Sequence, residues 1–436
     1  MRRRTFLALL TTPVIVSVVG SCGSDGGESG VDGNGFTFVK SSLGRRNVGP
    51  TDAPAGGRAV NLLGANLYGR IATVDAVNVA FSPASIMFAL AMTSAGARGT
   101  TSLEMYDVLH ADATGPAGLH AAMNSLISEL DTRSGTLTVA DEPVELMLEI
   151  GNSMWGQRGV EWGEEFLDLL STEYGTGMRV VDYATNTEDA RKAINGWVSD
   201  ATNDRIPSLL DAGVLTPDSR LTLVNTVYMK APWLNPFPPE ATSDGEFTTV
   251  SGAKVTVPFM RMTEQIPYTS GEGWTAADLS YAGGTLSLLI VMPDEGELAR
   301  IESEITTGLL DDVVAELQPT SVALSMPKFD VGTKTELSKV LAALGMPSAF
   351  AADTADFSGM TADEKLFVSF VVHQANITVD EKGTEAAAAT ASGMAGTSAP
   401  SRVVDMLINR PFLYAVRDIG TGALLFLGRV GDPSTS

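Results

Sequence analysis

Hydrophobic residues recur along this chain with two different periods. In "AVNLLGANLYGRIATV", Val60, Leu63, Leu67 and Ile71 fall on one face at helical spacing, which predicts an amphipathic helix. "FSPASIMFALAMTSAGARGTTSLEMYDVL" opens with Ser82, whose oxygen can accept from a free backbone N–H as an N-cap. Pro83 follows at the first helical position, where no N–H is needed. "EDARKAINGWVSDATN" predicts a further amphipathic helix. Other runs are shorter and apolar almost throughout: "VELMLEIGNSMWGQ", "MRVVDY", "RLTLVNTVYMK", "GTLSLLIVMP" and "SVALSMPKF". They predict strands of a sheet covered on both faces, because a sheet with one wet face would alternate more cleanly. "FLYAVRDIGTGALLFLGRV" predicts a hairpin turning at Gly420 and Gly422. Helices come mostly first, and the class is α+β with large sheets.

One stretch fits neither period. "DEKGTEAAAATASGMAGTSAP", residues 380–400, separates "LFVSFVVHQANITV" from "MLINRPFLYAV", both of which read as strands. It is far longer than most connections and holds almost nothing that could build a core. Taken alone, "TEAAAATA" is compatible with a short alanine-rich helix or with a linker.

The 436 residues suffice for one large domain, and no internal repeat divides them. The organisation read from composition is a signal peptide over 1–21, a flexible Gly/Ser/Asp-rich tether over 22–57 and a single domain over 58–436. Arg2, Arg3 and Arg4 precede the apolar "FLALLTTPVIVSVV", a run short for a membrane span and interrupted by Pro13. "RRTFL" resembles a twin-arginine export signal, and "VGSC" resembles a bacterial lipobox in which Cys22 becomes the lipid anchor. Cys22 is the only cysteine, so an intrachain disulfide is excluded. Removing residues 1–21 takes three arginines and no acid, moving the net charge from −23 to −26. That field argues against nucleic acid as a partner.

Catalytic signatures are missing: there is no G-x-S-x-G, HExxH, CxxC, GxGxxG or P-loop. The three histidines are His110, His120 and His373. His373 sits in a strand pattern, where a histidine is a hydrogen-bonded structural residue more often than a catalyst. Left unpaired and buried it would cost roughly 1–3 kcal/mol. The expectation is a protein that is not an enzyme, with no cofactor and no metal.

Five segments then fall into one order. "NVAFSPASIMFALAMTSAGARGTT", "LVNTVYMKAPWLNPF", "VALSMPKF", "VHQANITVDEKGTEAAAATA" and "NRPFLYAVRDIGTGALLFLGRV" together resemble the serpin family over about residues 58–433. The resemblance implies the serpin fold, three β-sheets surrounded by eight or nine helices, with an exposed reactive-centre loop. It implies inhibition of a serine protease by trapping. It also places Ser82, Ser85, Asn225 and His373 together beneath the main sheet, where two strands part, and Trp233 near the top of the same opening.

It further makes 380–400 the hinge and reactive loop, beginning at Glu381 and Gly383. After cleavage, the first half of such a loop must enter the sheet as a new strand. Residues two apart then share a face. Thr384, Ala386, Ala388 and Thr390 are small and uncharged, suited to the buried face. Glu385, Ala387, Ala389 and Ala391 take the other, and the one charge stays in water. No proline interrupts the run before Pro400. Fourteen inserted residues would span roughly 46 Å, enough to drag an acyl-linked protease across the domain. Counting fourteen positions from Gly383 gives Thr397 and Ser398 as the reactive bond. Met394 and Arg402 are alternatives, and counting back from "NRPF" gives Pro400. The small residues of "MAGTSA" suit the shallow pocket of an elastase-like or subtilisin-like protease. A heparin-type polyanion is not expected, because "PAGLHAAMNSLISELDTR" lacks a basic cluster. The expected state is a monomer, membrane-attached through Cys22 or secreted. A second reading is a non-inhibitory serpin that acts by binding.

Overall fold

A computed structural model describes residues 36–72, 76–111, 115–139, 142–384 and 403–435. Its main sheet has eight strands. Seven lie in the order Thr37–Val39, Met178–Val181, Glu142–Gln157, Leu221–Pro232, Gly383–Thr384, Val368–Asp380 and Phe329–Glu336. Gly135–Val139 pairs with Glu142–Gln157 at the side. The second network has nine strands. The expected three sheets are carried by these two networks because Lys254–Gly271 is shared. Its first part pairs with Ser243–Thr248 and Gln318–Pro327, and its last residues with Trp274–Ser280.

Nine α-helices occur among the described residues. Ser82 caps Pro83–Ser94 by accepting from the Ser85 amide, as the Ser–Pro pair predicts. All twelve residues of that helix are buried, which is why its sequence shows no polar face. It packs against strands of both networks and fills the space between them. On Ala53–Ile71, Val60, Leu63 and Leu67 are buried as the periodicity predicts, while Ile71 is half-buried at the helix end. A smaller core lies under helix Tyr183–Ala201, where Ile194 and Val198 meet Trp155, Val224 and Val372 of the main sheet. The sheet is therefore covered on both faces, as its apolar strands require.

Two expectations change. The folded unit begins before residue 58: Thr37–Val39 is the edge strand of the main sheet, paired with Met178–Val180, and helix Ala53–Ile71 starts ahead of Arg58. Phe36 and Phe38 carry the apolar surface that seats this segment, which its flanking glycines and charges obscure. The tether reading thus fails for 36–57, and residues 22–35 lie outside the described part. "MLINRPFLYAV" is two strands rather than one, Val404–Leu407 and Phe412–Asp418. Pro411 stands at the break, where it has no N–H to give a ladder.

Candidate functional site: a seam in the main sheet

Leu221–Pro232 and Val368–Asp380 are parallel neighbours from Leu221↔Val368 up to Val227↔Ala375. Above that point they part, and Gly383–Thr384 stands between them, antiparallel to both. The chain reverses at Glu381 and Lys382, where the Asp380 carboxylate accepts from the Lys382 amide at 2.8 Å. Only glycine fits at 383. Its φ is +150°, and a Cβ there would lie 2.1 Å from the Ala231 carbonyl oxygen.

The upper end of the seam is built around Trp233. Its indole N–H donates to the Asp380 carbonyl at 2.9 Å, and its backbone N–H to the Lys382 carbonyl at 2.8 Å. Tyr281 stacks on it with ring centroids 4.5 Å apart. The Tyr281 hydroxyl is 2.6 Å from that of Thr384, which is buried. Burial pushes the Tyr281 phenol well above its ordinary pKa, outweighing that hydrogen bond, so it stays neutral. Glu381 pairs with Lys328 at 2.6 Å and accepts from Thr242 at 2.8 Å. Burial pushes the Glu381 carboxyl up, but Lys328, a backbone amide and Thr242 bind its charged form, and the net shift is downward. The chain entering the sheet is held by a stacked pair, two backbone bonds and an ion pair.

The lower cluster lies where the seam is closed. His373 and Asn225 face each other in register, both wholly buried. His373 Nε2 accepts from the Ser82 backbone N–H at 2.9 Å. Burial pushes the imidazole down to about 3, so it is neutral. Asn152, from Glu142–Gln157, accepts through one oxygen from Asn225 at 3.1 Å and from Ser85 at 3.2 Å. Ser85 also lies 3.3 Å from the Thr226 carbonyl. Within this cluster, His373 Nδ1 and the Asn225 side-chain oxygen have no hydrogen-bond partner among the described residues. They stand on either side of the closed seam, in strands with nothing between them.

The structure therefore gathers Ser82, Ser85, Asn225 and His373 and sets Trp233 above them beside Glu381, Gly383 and Thr384. Glu385, Ala386, Ala387, Ala388, Ala389, Thr390, Met394, Thr397, Ser398, Pro400, Arg402 and Cys22 lie outside the described residues. Sequence reasoning missed Asn152, Tyr281, Thr242 and Lys328. Asn152 had one signal, a polar residue in the apolar run "LEIGNSMW". Tyr281, Thr242 and Lys328 had none, since each reaches the hinge from a different part of the chain. His110 bonds Asn66 and His120 bonds Tyr174, each away from the seam.

Fold and site define a protein whose main sheet has room between two strands for its own chain. A family model described as Serpin (serine protease inhibitor) matches residues 58–433. A leukocyte elastase inhibitor of Xenopus tropicalis is 34% identical over 363 residues, 82% of this chain and 93% of that protein. An uncharacterized serpin-like protein of Thermococcus kodakarensis is 34% identical over 378 residues, 86% of this chain and 85% of the other. The native-state structure of tengpin, a thermophilic serpin, superposes with a TM-score of 0.76 at 26% identity, covering 91% of this chain and 99% of tengpin. This chain belongs to the serpin family, a family of serine protease inhibitors.

Proposed function

We propose that this protein inhibits a serine protease irreversibly, as a substrate whose cut loop enters the main sheet and carries the acyl-enzyme with it. The observation that carries this reading is the two-residue strand Gly383–Thr384, already antiparallel to both walls of the seam. Continuing its register puts residue 386 opposite Ile377 and Met229, 388 opposite Ala375 and Val227, and 390 opposite His373 and Asn225. Ile377, Ala375 and His373 are buried, so Ala386, Ala388 and Thr390 would enter the buried face. Small side chains suit that passage. Insertion replaces one parallel ladder by two antiparallel ones, the more stable pairing per residue. It also brings a threonine hydroxyl between two unpartnered polar atoms.

The reactive bond is Thr397–Ser398, and the target is elastase-like or subtilisin-like. The small residues on both sides of that bond and the likeness to leukocyte elastase inhibitors support this. The chain acts as a monomer, exported by residues 1–21 and held at a membrane through lipidated Cys22, a reading that rests on the basic, apolar and "VGSC" pattern alone. Incubation with pancreatic elastase and with subtilisin, followed by denaturing gels, tests the mechanism. A covalent adduct that survives denaturation is expected. Complete cleavage with active protease released on every turnover would reject trapping and favour a non-inhibitory binding protein.

A further inference from the structure

The segment ahead of the first helix does more than extend the sheet. Thr37–Val39 sits at the edge next to Met178–Val180. Phe36 and Phe38 close around the Arg179 guanidinium with Trp155 and Trp197, all four rings 4.9–5.8 Å from it. Six residues on, Arg45 reaches the helix Gly115–Asp131. It donates to the Asn124 side-chain oxygen, the Asn124 carbonyl and Asp131 at 2.9 Å each, and to Ser128 at 3.0 Å. Asn124 is wholly buried, and its amide donates back to the Arg46 carbonyl at 3.1 Å. Ser125 adds a bond to the Gly49 carbonyl at 2.7 Å.

The two ends of this strap are fixed to parts that must separate. Helix Gly115–Asp131 packs on Ala53–Ile71, which packs on Leu424–Val430 of the second network. The far wall of the seam is tied to that same body through Ala80 to Thr333 at 3.0 Å and Ser82 to His373 at 2.9 Å, and the near wall only by the longer contacts of Ser85 to Asn152 and the Thr226 carbonyl at 3.2 and 3.3 Å, which are the ones to give. A strand entering the seam therefore pushes the other side outward by about 4.8 Å, edge strand included. Hydrogen bonds of 2.9 Å do not survive such a shift.

We propose that residues 36–52 are a clamp on the sheet edge that resists opening of the seam, with Arg45 as the residue that holds it closed. This rests on the insertion mechanism above. The test uses the intact full chain. Arg45→Met keeps an unbranched apolar stem and removes the five donors; Arg45→Lys keeps the charge without the planar fork. Uncleaved protein is held at moderately elevated temperature, and inhibitory capacity is followed with the chain still intact on gels. Arg45→Met should lose capacity about tenfold faster than the parent, with Arg45→Lys between them. Amide exchange supplies a second readout. In Arg45→Met it should rise at 221–227 and 368–375 as well as at 36–52. Equal rates of capacity loss, or faster exchange confined to 36–52, would overturn the clamp. Failure of the parent to gain heat resistance on loop cleavage would instead reject insertion itself, and the clamp with it.

Discussion

Replacing Gly383 with alanine tests whether the paired hinge nucleates insertion. The added Cβ would stand 2.1 Å from the Ala231 carbonyl oxygen and 2.7 Å from Pro232 Cα, both backbone atoms of a central strand that cannot swing aside. The φ of +150° adds a conformation that alanine rarely adopts. Relief requires residues 383–384 to leave the seam. That gives up four residue pairings, Val379, Asp380, Ala231 and Pro232. At roughly 0.5–1.5 kcal/mol each, the loss is on the order of 2–6 kcal/mol, plus the bond between Tyr281 and Thr384. In the proposed mechanism, insertion after cleavage competes with hydrolysis of the acyl-enzyme, and about 1.4 kcal/mol on that barrier is a factor of ten. Even a fraction of the loss should turn an inhibitor into a substrate. The assay is titration of elastase or subtilisin against parent and variant, counting inhibitor molecules consumed per enzyme trapped. The ratio should rise at least several-fold in Gly383→Ala, with far-UV dichroism showing that the fold persists. An unchanged ratio, with adduct formed as in the parent, would refute the idea that the preformed strand starts insertion.

Other outcomes follow from the same geometry. His373 and His120 are held neutral by burial, down to about 3 and about 4 respectively, against an ordinary value near 6.5. Below about pH 6.5 the unfolded chain binds protons that the native one refuses, so stability is fullest above that pH. It should fall toward pH 4 by up to about 1.4 kcal/mol per unit for each histidine. Denaturant midpoints across that range should show a shallower slope in His373→Gln, and an identical slope would count against the buried imidazole. Ala388→Arg places a guanidinium, by register, opposite the buried pair Ala375 and Val227. Burying that charge is costly enough to stop insertion midway, so cleaved variant should melt well below cleaved parent. Mass spectrometry of elastase-treated protein should find a new C-terminus at Thr397, and a cut only after Arg402 would reject the hinge count.

Local rules carried the elements. The Ser82–Pro83 start, the helix face of Val60, Leu63 and Leu67, and the hairpin with Gly422 at a φ of +74° each depend on residues a few positions apart. His373 was legible as a buried structural residue from its strand alone, and its neighbours only through likeness to a family. Where strands part and what holds the hinge was not legible. Asn152 meets Asn225 across 73 positions, Tyr281 meets Thr384 across 103, and Arg45 meets Asn124 across 79. Tertiary packing also overruled composition at 36–57, where a segment that reads as tether supplies an edge strand and a helix start. Period and capping are written in each short stretch because backbone geometry repeats there. The partners of a buried polar group are chosen only when distant strands come together, and nothing in either stretch alone names the other.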